Sequence, residues 1–138
     1  VSSFTYTADL EFRHPRTSPD QVTASLKLTP ERCWDKGSLR TTPQGELLAG
    51  RHAENYWRGR WFEGYADELS LARTLSQAVD RAVAQKDFFQ DYVATGGLSA
   101  VNLFWTPHQI DVDLPFELLA RLADFRLSLI LTPMERQY

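Results

Sequence analysis

Ser3-Phe4-Thr5-Tyr6-Thr7-Ala8-Asp9-Leu10-Glu11-Phe12 is the stretch that decides the fold. Phe4, Tyr6, Ala8, Leu10 and Phe12 fall on one side of an extended chain, and Ser3, Thr5, Thr7, Asp9 and Glu11 on the other. Successive side chains of a strand point to opposite faces. The alternation therefore predicts a strand with one face in a core and the other left open.

Working outward, Ser18-Pro19-Asp20-Gln21 has the pattern of a helix start. Ser18 caps, Pro19 suits the first helical position and Gln21 completes a capping box. A helix over 19–27 follows, with Val22 and Leu26 on one face. Thr29-Pro30-Glu31 looks like a second, very short cap and turn. Residues 33–50 hold turn signals at Asp35-Lys36-Gly37-Ser38 and Thr42-Pro43-Gln44-Gly45, with room for a short strand near 38–42. The aromatic-rich run at 53–62 predicts a strand. From Asp67 the period becomes 3.6. Leu69, Ala72, Leu75, Val79 and Val83 make one stripe of a helix running to about Lys86. Phe88, Phe89, Tyr92 and Val93 add a turn or two, ending at Gly96-Gly97. Strands over 98–105 and 109–114 are expected, joined at Thr106-Pro107-His108. Pro115 opens a short helix with Phe116, Leu119 and Leu122, and Phe125, Leu127, Leu129 and Leu131 alternate as a last strand, stopped by Pro133.

The expectation is one globular α+β domain over residues 1–138. It has a single mixed or antiparallel sheet with helices packed on it, in the order β-α-β-β-α-β-β-α-β. The first six elements have the order of ferredoxin-like folds. Fold alone does not give function.

Composition narrows the function classes. Apolar residues are 43% and charged residues 24% of 138, ordinary globular usage. Fifteen basic against eighteen acidic residues leave a net charge of −3. That disfavours duplex nucleic acid and anionic membrane surfaces as partners, since both reward positive charge. One cysteine, Cys33, cannot form an internal disulfide, and no apolar run is long enough to span a bilayer. The first residues lack a signal peptide's basic and apolar blocks, so the expected location is cytoplasmic.

Reaction chemistry is hard to find. His14, His52 and His108 lack metal-ligand spacing, so no metal or cofactor is implied. Asp111 and Asp113 share a strand face, and a solvated face is the simpler reading of the pair. Cys33 has Arg32 and Lys36 nearby but no adjacent histidine, and a small buried apolar role is expected. A G-x-S-x-G elbow is absent, and Gly96-Gly97 precedes a strand rather than a helix. The suggestive segment is 51–61, where Arg51, Tyr56, Trp57, Arg58, Arg60 and Trp61 bring cations and aromatics together. Core packing of Trp57 and Trp61 comes first, a protein interface anchored by Trp, Tyr and Arg second, and a single-stranded nucleic-acid surface third.

The chain resembles a bacterial family of uncharacterised domains, domain of unknown function 4279. The resemblance rests on the alternating first strand, Leu28-Thr29-Pro30-Glu31, the turn at Lys36-Gly37 and the tryptophan-bearing strand from Trp57 to Trp61. The amphipathic helix and the run Leu118-Leu119-Ala120-Arg121-Leu122-Ala123 before the last strand complete it. It implies no catalytic residues. The expected function is a protein-binding module that is not an enzyme, in concrete form an immunity-type inhibitor of a toxin-like bacterial protein. One alternative is a small-ligand binder or enzyme with a pocket between sheet and helices, using Asp111, Asp113, His108 and Arg58. The other is a single-stranded nucleic-acid binder.

Overall fold

The computed structural model describes residues 5–65, 71–105 and 112–134. Its elements are β1 (Thr5–His14), α1 (Pro19–Leu26), β2 (Arg32–Trp34), β3 (Leu39–Thr41), β4 (Leu47–Arg51), β5 (Asn55–Tyr65), α2 (Leu71–Ala82), α3 (Lys86–Ala94), β6 (Leu98–Trp105), α4 (Phe116–Asp124) and β7 (Ser128–Pro133). Five strands form one sheet in the order β2-β5-β1-β6-β7, and β3 and β4 pair as a separate hairpin. The pairs β2/β5, β5/β1 and β1/β6 are antiparallel, while β6/β7 is parallel. The fold is thus α+β with a mixed sheet. The strands of β1-α1-β2 are separated by β5, and those flanking α2 and α3 by β1, which is the split β-α-β arrangement. The last helix and strand extend it as a β-α-β crossover from β6 to β7.

The apolar side of β1 lies in the core as its alternation predicts. Tyr6, Ala8, Leu10 and Phe12 are buried, with Val101 and Leu103 beside them on β6. Phe12 is the hub of an aromatic cluster. Its ring lies 5.2 Å from Tyr92, 5.6 Å from Trp57 and 5.7 Å from Phe89, the first two edge to face. Such pairs add about 0.5–1.5 kcal/mol each beyond their buried area. The residues Phe88, Phe89 and Tyr92 therefore close the end of the sheet.

Trp57 is buried, and its indole N–H donates to Thr23 Oγ1 of α1 at 3.0 Å. The ring lies over Gly59, where a Cβ would come within 2.6 Å of it. Strand β5 carries a bulge. Phe62 pairs with Ala8 and Arg60 with Asp9, so Trp61 is the extra residue. Trp61 still packs on the core side.

Helix α1 starts as the capping box predicts, with Gln21 N–H on Ser18 Oγ and Ser18 N–H on Gln21 Oε1 at 3.0 Å. At the end of β1, His14 is buried and its ring is fully used. Nδ1 accepts the backbone N–H groups of Arg16 and Thr17, both at 2.9 Å, so Nε2 carries the proton and donates to Thr95 Oγ1 at 2.9 Å. Burial, and then the charge of Arg16, hold its pKa below the ordinary value.

Several expectations change. Strands β2 and β4 are additional to the one short strand expected near 38–42, and three residues in β2 are too few for periodicity to show. Cys33, expected to be buried, is exposed because β2 is the sheet edge. The long helix ends at Ala82, and a 3₁₀ turn over Val83–Gln85 re-aims the chain before α3. Val83 is thereby turned off the stripe and is 55% exposed. In α4 the inward residues are Leu118 and Leu122, four apart, while Leu119 and Phe116, the latter 78% exposed, face outward. Phe125 and Leu127 are buried but precede the last strand, because Arg126 takes a left-handed conformation between them. Of the strand expected over 109–114, residues 109–111 lie outside the described residues, and 112–114 have no regular structure. The expected start of the long helix at 67–70 also lies outside them.

Candidate functional site

All helices whose contacts are described pack on one face of the sheet. Among the described residues no helix covers the other face. Its side chains follow from the alternation that buries their neighbours, and they form three rows across the strands. Leu98, Arg13, Tyr56 and Trp34 are successive partners on β6, β1, β5 and β2. Ala100, Glu11, Arg58 and Arg32 form the second row, and Asn102, Asp9 and Arg60 the third.

The first row is a π stack. The guanidinium of Arg13 lies 4.7 Å from the Tyr56 ring centroid, Tyr56 is 4.2 Å from Trp34, and Trp34 is 4.0 Å from His52. The last two contacts are within 18° of parallel. His52 follows β4, so the stack ties the hairpin to the edge of the sheet. Tyr56 donates its hydroxyl to Glu11 Oε1 at 2.8 Å. Burial first, and then that carboxylate, push its phenol up to about 12.

The third row is an ion-pair network. Asp9, with its side chain only 6% exposed, accepts from Arg60 Nε at 2.7 Å. Arg60 also meets Glu63 at 3.1 Å and Glu31 at 3.5 Å. The hydrogen bond to Asp9 raises its pKa. Arg13 pairs with Glu54 at 3.4 Å.

The second row is unbalanced. Arg58 and Arg32 face each other across β5 and β2, although like charges directly opposite are unfavourable. Arg58 Nε is buried and has no hydrogen-bond partner among the described residues, since Asp9 Oδ2 is 4.0 Å away. Arg32 lies over Trp34, 5.2 Å from the ring centroid, and reaches Thr41 O at 3.5 Å. Between this row and the hairpin is a cleft of about 680 Å³, lined among others by Arg32, Trp34, Thr41, Thr42, His52 and Arg58.

The residues singled out in the sequence are thus divided. Tyr56, Arg58 and Arg60 share the open face. Trp57 and Trp61 lie on the core side. Arg51 is on the hairpin, donating to Gly37 O at 2.8 Å. Asp113 is exposed in an irregular segment, and His108 and Asp111 lie outside the described residues. Trp34, Arg13, Glu11 and Asp9 complete the face, and the alternation of β1 is the signal that would have found the last three. Arg32 and Trp34 carried no such signal. No group of three metal-ligating side chains occurs among the described residues. Nor does any helix there have the length and apolarity to cross a membrane. Cys33 has its thiol pKa raised, by burial and then by Asp35 and Asp20, which opposes a nucleophilic role.

No curated protein and no solved structure matches the chain. Residues 4–133 match the model of a family described as Domain of unknown function (DUF4279). That match runs from the first strand to the last, through every row of the open face, and the chain belongs to this family.

Proposed function

We propose that the protein is a binding module whose open sheet face docks another protein. The observation that carries this reading is the composition of that face. It joins Arg13 and the half-buried Trp34, residue types that anchor interfaces, held in place by the buried Tyr56, with the apolar Leu98, 67% exposed, and Ile130 at its edge. Ion pairs hold Arg13 and Arg60 in fixed positions, so the charge pattern is preorganised for a complementary surface. The same pairing speaks against single-stranded nucleic acid, because these arginines already have carboxylates and the chain carries −3. In its concrete form the reading is an immunity-type inhibitor that covers the working surface of a toxin-like protein.

The test is capture of the tagged chain's partner followed by substitution. Leu98→Asp and Arg13→Ala should weaken the complex at least tenfold, and Phe116→Asp on the helical side should leave it unchanged. Loss of binding with Phe116→Asp alone would place the interface on the helices and overturn the reading.

A second reading, a small-ligand binder, is favoured by one observation. The cleft under the hairpin has the volume of a metabolite site and a few convergent polar groups.

A further inference from the structure

The unbalanced row and the cleft above it belong together. A cross-strand arginine pair is destabilising unless something negative lies between or over the two charges. Arg58 has Glu11 opposite it and Asp9 at 4.0 Å, although Glu11 accepts from Tyr56 and Asp9 bonds Arg60 at 2.7 Å, while Arg32 has no carboxylate partner among the described residues. Arg58 is left with a buried Nε that makes no hydrogen bond among the described residues, an unfavourable state for a charged group. Arg32 uses one Nη on Thr41 and keeps the rest of its fork. Both side chains line the cleft, and Arg40 adds a third positive charge near His52. Asp35 is the one acidic lining residue without an arginine described here as its partner.

We propose that the cleft between β2 and the β3–β4 hairpin is an oxyanion site. Arg32 and Arg58 clamp a phosphate or carboxylate group of a small ligand, and the ring edges of Trp34 and His52 border its organic part, since Tyr56 and His52 already cover the two faces of Trp34. A planar guanidinium fork can meet two oxygens at once of either a planar carboxylate or a tetrahedral phosphate. The lowered pKa of His52, caused by burial and then by Arg40 and Arg32, agrees with a positive field at this wall. The site rests on the small-ligand reading of the cleft and shares Arg32, Trp34 and Arg58 with the open face, so small probes without a protein partner test it separately from docking.

The test is isothermal titration of the full chain with inorganic phosphate, phenyl phosphate and benzoate. Saturable one-to-one binding that weakens with salt is expected for at least one probe, and the phosphate and carboxylate arms tell which group the site takes. Arg58→Gln and Arg32→Gln should each weaken that probe by ~10-fold or more, as loss of a charge-assisted hydrogen bond does. Arg58→Lys, which keeps the charge without the fork, should weaken it less. The circular dichroism and melting temperature of each variant show that it is folded. Absence of saturable binding for all three probes, or undiminished binding in the folded Arg32→Gln/Arg58→Gln double variant, would overturn the proposal.

Discussion

Replacing Gly59 by alanine turns the packing of β5 into a sign test. In most strands this change is neutral or favourable, because alanine reduces the freedom of the unfolded chain by about 0.4–1 kcal/mol. The backbone at Gly59 is one that any residue adopts, so no strain enters from that source. The added methyl, however, would stand 2.6 Å from Trp57 Cη2 and 3.1 Å from Cζ2 and Cζ3. Ordinary contact needs at least about 3.5 Å, so the ring must move by roughly an ångström. It has little room, being buried, edge to face with Phe12 and hydrogen-bonded to Thr23. Overpacking of this kind costs about 1–3 kcal/mol, and loss of the Thr23 bond about 1 kcal/mol more. After the unfolded-state gain, the net destabilisation is about 2 kcal/mol. Urea unfolding followed by tryptophan fluorescence reads it as a lower midpoint at unchanged slope. In a Trp57→Phe background the clashing atoms are gone, and the penalty should fall to near zero. A Gly59→Ala protein as stable as the parent, or an equal penalty in both backgrounds, would refute the packing argument.

Phe12→Ala should cost about 3–5 kcal/mol, as for a fully buried ring in a well-filled core, read by the same unfolding curves. The depressed pKa of His14 means that its neutral form is the folded one. Its contribution is fully present above the unfolded value of 6.5 and is lost as the pH falls from there through the folded pKa. The melting temperature should drop between neutral pH and about pH 5, and drop less in His14→Gln. Tyr56, with its phenol pushed up to about 12, should be absent from the tyrosine absorbance step near pH 10. The difference titration of Tyr56→Phe checks this by leaving that step unchanged. The raised pKa of Cys33 predicts slower disulfide exchange with a thiol reagent at neutral pH than free cysteine shows, despite its exposure.

How much of this was legible in the sequence depended on repetition. The ten residues of β1 carry five turns of a period-two pattern, and the helix cap at Ser18 carries a motif in which two side chains must agree. Both are found where expected. Strand β2 has three residues, one of them an exposed cysteine, and nothing in Arg32-Cys33-Trp34 repeats. Its position is set by pairing with β5, a contact between residues more than twenty positions apart. The candidate site suffers most from this, because it joins a legible half, Glu11, Tyr56 and Arg58, to an illegible one, Arg32, Trp34 and His52. Val83 leaves its expected stripe, and the face of α4 stays unread, for another reason. Helical stripes fix a face only while the helix lasts, and neither the 3₁₀ turn nor the rotation of α4 leaves a mark in composition.

The extra residue at Trp61 makes β5 two half-strands of opposite parity. Before it the inward positions are odd, Trp57 and Gly59, and beyond it they are even, Phe62 and Gly64. Chain length at this point is therefore absorbed by the bulge. Deleting Trp61 would leave one unbroken alternation in which Gly59, Phe62 and Gly64 still face the core and keep their partners on β1. Forcing regular pairing at the present length would instead send Phe62 and Gly64 outward, with Glu63 into the core. The segment should accept the loss of one residue more readily than the gain of one, which would leave two residues without partners.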